Sequence, residues 1–499
     1  MRFPTAARYR RPSLVFALAM LACLANVSLR AQGQDDIRRA LDQRNERQAI
    51  ERERELLKDE LEDEARPTLT IDGQTYAVEH NADDLGRALY LSLQHRQWTA
   101  AARFLEEYLT LPDRDPLLVH YAQGALARVQ GRYGQAEREF RVLLARQPGF
   151  LPGRLELARV LFEDQQDLEA AELFAAIAGD LDASDPKTEG VRKTVETFRL
   201  ALDNRRAWNG SFALGPTWSD NVNRTSASHT CLLYLDGTCY FDRKTPDAIV
   251  SAGVDYDAGL AKRLPLRGHH GLYLRALLFG QRYRDNSAYN ELTASAQAGY
   301  GYRSGRHAIA LAPSFDYYAL GNATLYGAWG MHGEWSYTLS PQSLMKLEGD
   351  WKAMRYRDAD YARSYDAPTR AAYATYFRNV GPHWTVFGGV DLMDSGAPED
   401  ANAYLQKGAR LGVSLQSSHV TGSLFASYRR RDYGAFNALL EAQRQDDEQN
   451  YILILKTTRW TAAGFVPLLT LRYTRVKSNV DWLYSYDKSA VSLKLERTF

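Results

Sequence analysis

Few residues of this chain stand at spacings that could do chemistry. Cys231 and Cys239 lie in a turn-rich stretch with Asp236-Gly237 between them. Two thiols that close, outside a reducing compartment, predict a disulfide that pins a loop. Metal binding is the sharper alternative, but no histidine pair at ligand spacing accompanies them. The histidines are scattered, with His269-His270 in an expected turn. No nucleophile elbow, phosphate loop or metal-ligand run appears. Ser, Asp and His are spread through the C-terminal half as on any polar face, so no residue is assigned a catalytic, cofactor-binding or metal-binding role. The chain does not read as an enzyme.

Stepping from residues to elements, 499 residues that are 45% apolar and 25% charged supply two or three globular domains. A net charge of +1 gives no basic surplus for nucleic acid as partner. Mean hydropathy is −0.44, and past the N-terminus no apolar run reaches the about 18 residues of a transmembrane helix, which excludes a helical polytopic membrane protein. A membrane β-barrel stays open, because its alternating residues cancel in any average.

Residues 1–31 carry Arg2, Arg8, Arg10 and Arg11, then an apolar run from Leu14 to Leu24. They read as a secretory signal peptide, cut after Ala25 or Ala31. Cys23 is discarded with it: the bulky Leu21 two residues earlier does not fit a lipid-modified cysteine. Residues 32–80 form a charged arm and a short hairpin. Between Asp35 and Arg66 stand twelve acidic and eight basic residues, with Ile37, Leu41, Ile50, Leu56, Leu57 and Leu61 the only large apolar ones. Such a segment is a solvated single helix or a disordered arm. Residues 68–78 read as a hairpin about Asp72-Gly73, and neither part implies chemistry.

From 81 to 206 the apolar spacing is helical, and it repeats. Gly124 and Ala158, Ala136 and Ala170, Phe140 and Phe174, and Leu143 and Ile177 are pairs 34 residues apart. Gly131, Tyr133 and Pro148 occupy the turn and exit offsets of a tetratricopeptide repeat, and Trp98, Ala101, Leu105 and Tyr108 form a degenerate earlier copy. About three repeats of an α-solenoid follow, whose concave face suits a protein segment.

From 207 to 499 the period is two. Met345, Leu347, Gly349 and Trp351 make one face, and Lys346, Glu348, Asp350 and Lys352 the other. Most of the tyrosines and tryptophans lie here, as aromatic girdles require. Fourteen strands are predicted, near 207–219, 249–263, 271–285, 290–304, 306–320, 324–339, 342–356, 369–381, 383–395, 404–416, 419–433, 448–461, 464–477 and 486–499. An even number returns both ends of the sheet to one side. The fold class is α + β: an N-terminal tetratricopeptide-like α-solenoid, then an antiparallel transmembrane β-barrel. In the last strand Val491, Leu493, Leu495 and Phe499 alternate with polar residues, the terminal aromatic pattern by which outer-membrane proteins are handed to the barrel-assembly machinery.

This architecture resembles the surface lipoprotein assembly modulators, the translocators of the type XI secretion system. Its most specific stretches are 194–199, 208–216, the Asp220-Asn221-Val222-Asn223 run after Ser219, and the Arg497-Thr498-Phe499 ending. The cysteine pair is not counted in that pattern. The resemblance implies an outer-membrane translocator of a Gram-negative bacterium, its repeats in the periplasm. Its client would be a surface lipoprotein or a secreted haemophore-like protein, its partners periplasmic chaperones and outer-membrane lipid. Passage would run through a polar lumen or a seam between the first and last strands. The alternative is an exopolysaccharide export porin, which should carry a longer repeat array and a lumen track dense in carboxylates or aromatics.

Overall fold

Asn81 accepts a hydrogen bond from the Asp84 amide at 2.8 Å, and this N-cap starts a helical domain. The computed structural model describes residues 14–58, 78–182, 184–235, 238–457 and 459–499, with side chains of the first helix from Asp35 onward. That first helix, α1, spans Leu14–Leu56. The domain then comprises α2 (Ala82–Gln94), α3 (Trp98–Tyr108), α4 (Pro116–Val129), α5 (Tyr133–Arg146), α6 (Leu151–Glu163), α7 (Asp167–Asp180) and α8 (Glu189–Arg206). The 34-residue periodicity is visible in its core: Ala136, Phe140, Ala158, Ala170, Phe174 and Ile177 are all fully buried. A small residue is needed at 124, because a Cβ there would lie 2.8 Å from the Phe140 ring. Gly131, at φ +68°, turns the chain from α4 into α5.

The barrel closes in the order β1-β16-β15-β14-β13-β12-β11-β10-β9-β8-β7-β6-β5-β4, every pair antiparallel. Its strands are β1 (Asn209–Ser219), β4 (Ser251–Pro265), β5 (His270–Tyr283), β6 (Glu291–Arg303), β7 (His307–Leu320), β8 (Ala323–Ser340) and β9 (Ser343–Tyr356). The circuit continues through β10 (Pro368–Val380), β11 (Trp384–Ser395), β12 (Tyr404–Gln416), β13 (Val420–Asn437), β14 (Ala442–Thr457), β15 (Phe465–Ser478) and β16 (Tyr486–Thr498). The alternation turns Leu347 and Trp351 outward, 38% and 45% exposed, while Asp350 is buried inside. The two remaining strands, β2 (His229–Leu235) and β3 (Thr238–Lys244), form a separate hairpin in the β1–β4 connection. Short helices α9 (Ala359–Tyr365) and α10 (Asp481–Tyr484) sit in two other loops at that same far end. The helical domain docks at the near end, on the short turns.

The fourteen predicted strands hold, with one region off. β13 and β14 rise four to six residues beyond the expected 419–433 and 448–461. In β14 the outward residues there, Gln443, Gln445 and Asp447, are no longer apolar, and in β13 a register shift between Asp432 and Phe436 breaks the alternation.

The charged arm departs from expectation. It is a single helix, but not a solvated one: Asp36, Arg38, Arg39 and Leu41 are buried, and α1 runs inside the barrel. The wall supplies counter-charges in place of water, which the arm's own composition cannot reveal. The hairpin expected at 68–78 falls outside the described residues save for Val78.

Candidate functional site in the barrel lumen

Alternation that turns apolar side chains outward turns Asp, Glu, Lys and Arg inward, and α1 meets them. At the near end Glu53 accepts from Arg205 of α8 at 2.8 and 3.0 Å. Deeper in, Glu46 accepts from Arg275 on β5 (3.0 Å) and Lys346 on β9 (3.5 Å). Asn45 meets Ser211 on β1 at 2.9 Å. Arg44 donates to Asp257 on β4 (2.7 Å) and lies 3.4 Å from Glu496 on β16. Arg39 reaches Glu348 at 3.2 Å, and Arg38 stands between Asp316 (3.6 Å) and Asp350 (3.7 Å). Asp36 pairs with Arg429 and accepts from Ser427 (2.8 Å) and Asn450 (3.2 Å). Apolar contact is confined to a few residues: Leu41 against Leu277 and Phe279, Ile37 between these and Phe387, Phe425 and Ile452, and Leu57 in the core of the helical domain. The arm comes so close that a Cβ on Gly259 would lie 2.1 Å from the Asn45 amide nitrogen. Between residues 35 and 58 seven carboxylates balance seven cations, and the wall answers with both signs.

The wall also pairs with itself, as buried charges must. Arg410 donates to Asp391 at 2.6 Å, and Arg431 bonds Gln406 (2.8 Å) and Glu448. Among the described residues, His332, Glu334 and Glu348 bring one ligand atom each within 4.8 Å of one another. Lys346 Nζ stands 3.3 Å from Glu334 and 3.6 Å from Glu348, so an ammonium already lies where a cation would. His332 Nδ1 is engaged by Asp350 at 2.8 Å. The trio belongs to the ion-pair network.

The barrel closes at β1–β16, and this seam is broken. β1 pairs with β4 at every residue from Asn209 to Ser219, but its ladder to β16 skips Gly215-Pro216, where proline offers no N–H. On the lumen side Thr217 and Ser492 hydroxyls meet at 2.9 Å. Lys494 reaches across β1 to Asp255 (2.8 Å) and Asp257. At the near end Gly210 and Phe499 exchange two backbone bonds of 3.0 Å. At the far end Asp220 accepts from the Ser489 amide (2.7 Å), and Asn221 donates to the Asp487 carbonyl (3.0 Å). Asn223 donates to the Asp247 carbonyl at 2.8 Å and accepts from the Ile249 amide at 2.9 Å. Ser226 and Ser228 donate to the Trp482 carbonyl at 2.5 and 2.6 Å, across the same seam.

The profile described as surface lipoprotein assembly modifier matches residues 208–499, the whole barrel, and that of the same family's N-terminal TPR repeats matches 71–174. The chain belongs to the surface lipoprotein assembly modifier family. A relative in Acinetobacter baumannii, named hemophilin secretion modulator, is 41% identical over 448 residues, 87% of this chain and 90% of its own. Surface lipoprotein assembly modifier 1 of Neisseria meningitidis serogroup B is 27% identical over 442 residues, 86% of each chain. Among solved structures, Acinetobacter baumannii OccAB3 aligns with 58% of this chain and 99% of its own at 9% identity, with a TM-score of 0.32. The two relatives bear names of secretion and assembly factors, not of enzymes. As a closed barrel with an outward apolar face, this family member lies in the outer membrane, its helical domain on the periplasmic side.

Most of its sequence-predicted residues lie along the seam, while Asn223 binds the 247–249 segment before β4 and the cysteine pair sits in the β2–β3 hairpin. Val491, Leu493 and Leu495 are exposed on the outer face of β16, and Phe499 closes the near end. Asp220, Asn221 and Asn223 clasp the far end. Cys231 and Cys239 are bonded to each other across the β2–β3 hairpin, whose Arg243 lies over the Trp482 ring of α10. What sequence reading missed is the arm in the lumen. The available signal was Ile37 and Leu41, four residues apart on one helical face, within an otherwise balanced charge run.

Near-end docking is also polar. Asp167, 1% exposed, takes Arg205 of its own domain and Arg263 of β4, both at 2.7 Å. Asp164 bonds the Gly305 amide (2.9 Å) and His269 (2.9 Å). The hydrogen bond to Asp164 raises the pKa of the half-buried His269 above its ordinary 6.5.

Proposed function

We propose that this family member carries a protein client from the periplasm to the cell surface or medium, as an outer-membrane translocator and not as an enzyme. The observation that supports this most is the 41% identity, running through both helical domain and barrel, to a hemophilin secretion modulator. The lower identity to the lipoprotein factor favours a released, haemophore-like client over a lipidated one. The helical domain receives the client from periplasmic chaperones. The barrel reaches outer-membrane lipid through the assembly machinery, which reads Val491, Leu493, Leu495 and Phe499. With no nucleotide motif in the sequence, the drive comes from client folding outside.

The lumen carries the carboxylates and tyrosines expected of a polysaccharide export porin, but lysines and arginines are interleaved with them. Along the arm the wall's charges alternate at close range: Arg275 and Lys346 stand beside Glu334, Asp257 beside Lys494, Asp350 beside His332, and Arg429 beside Glu448. A wall of mixed sign suits a polypeptide of mixed charge, and it offers no continuous track of one sign for a polyanion to follow. The short repeat domain points the same way.

The test is protease shaving of intact cells, with and without this gene, followed by mass spectrometry of surface and medium. One protein lost on deletion and restored on complementation is the expected result. An unchanged proteome with loss of a polysaccharide would replace this reading by the export porin.

A further inference from the structure

Client transport does not by itself call for an occupied lumen, yet α1 lies along it and touches the wall nearly all the way round, at β1, β4, β5, β7, β9, β13, β14 and β16. An α-helix with side chains is about 10–12 Å across, and the arm places one in the lumen. The contacts that hold it in the lumen are mainly ion pairs and hydrogen bonds, with Leu41 and Ile37 adding two small apolar patches and Leu57 tying its near end to the helical domain.

The wall is prepared for the arm's departure. Asp257, which takes Arg44, is also paired with Lys494, and Glu496 keeps Lys456 at 2.7 Å. Asp316 and Asp350, which face Arg38, hold Lys352 (2.6 Å) and His332 (2.8 Å). Arg429 retains Glu448 and Asp391, each at 3.7 Å. A permanent plug could leave these charges dependent on it, because a buried charge stripped of its partner is strongly destabilising. Here every wall charge just named has a second partner in the wall.

We propose that residues 35–58 are a displaceable plug, closing the barrel at rest and leaving the lumen when a client passes. Only the passage half rests on the translocator reading; closure and release are measurable with no client present.

The test uses the full-length protein in planar bilayers of phosphatidylethanolamine and phosphatidylglycerol. The background is Cys231→Ser with Cys239→Ser, so that reductant acts only on engineered thiols. The parent is expected to conduct little. Arg38→Glu, Arg39→Glu and Arg44→Glu together, which set the arm against Asp316, Asp350, Glu348, Asp257 and Glu496, are expected to raise conductance several-fold. Adding Leu41→Cys with Leu277→Cys, two positions of one apolar cluster, should return it to the parent level when oxidised and release it again on reduction. In cells, the oxidised pair should halt export of whichever protein the shaving experiment identifies. A folded triple variant, judged by heat-dependent gel mobility, that conducts like the parent overturns the plug. Undiminished export by the cross-linked protein overturns displacement. If the triple variant does not fold, Arg44→Glu alone poses the same question more mildly. If shaving finds no client, the translocator reading fails while the conductance result still decides closure.

Discussion

Replacing Asp36 by alanine should loosen the arm without unfolding the barrel, and the size of the effect follows from its contacts. The Asp36 carboxylate is fully buried and holds three partners on two strands, Arg429, Ser427 and Asn450. A hydrogen bond to a charged group contributes about 1.5–3 kcal/mol net. Stranding a buried cation would add more, but Arg429 keeps Glu448 and Asp391, so that penalty is largely avoided. A net loss of about 2–3 kcal/mol, at 1.4 kcal/mol per tenfold, raises the arm-out population roughly 30- to 150-fold. The readout is maleimide labelling of Leu41→Cys, whose position is 5% exposed with the arm in place. When the arm exchanges faster than the reagent reacts, the labelling rate follows the arm-out fraction. Asp36→Ala should speed labelling by that factor, with Asp36→Asn falling between the two. A folded Asp36→Ala protein that labels at the parent rate would refute both the energetics and the view of the arm as a reversible ligand of its own barrel.

Three further outcomes are expected. Asp167→Ala removes the carboxylate shared by Arg205 and Arg263 and should weaken domain docking by about 3 kcal/mol, seen as faster proteolysis between α8 and β1. The His269 contact has a sign: its folded pKa is raised above 6.5, so its stabilisation is complete below that value and is lost as pH rises through the folded pKa. Cleavage at the same junction should therefore accelerate as pH rises through that window, and His269→Gln should flatten the profile. Gly124→Ala drives a Cβ to within 2.8 Å of the Phe140 ring and should cost the helical domain about 1–3 kcal/mol by overpacking, read as a lower melting temperature in the helical circular dichroism signal.

The fold was legible because both halves announce their period. Residues 34 apart share one solenoid core, and strands with one apolar face need only alternation to be seen. Legibility failed where a residue's partner lies far along the chain. Asp36 finds Arg429, and Arg44 finds Glu496, hundreds of residues away; nothing local distinguishes them from solvated charge. The same holds at the far end, where β13 and β14 run on past a register shift and are joined by polar side chains, Arg430 to Gln445 and Gln443 to the Tyr433 carbonyl. The junction run Asp220-Asn221-Val222-Asn223 was recognisable as a resemblance, but its work, bonding the backbone of β16 and of the 247–249 segment, needed the closed barrel to appear.

The balance of seven carboxylates and seven cations between residues 35 and 58 has an electrical consequence. Moving one elementary charge through a membrane field is worth about 2.3 kcal/mol per 100 mV, and a segment with no net charge carries almost none of that work when it withdraws. A barrel stopped by such a segment is close to voltage-blind. Salt, which screens ion pairs, and a competing polypeptide can each loosen it, whereas a potential across the outer membrane cannot.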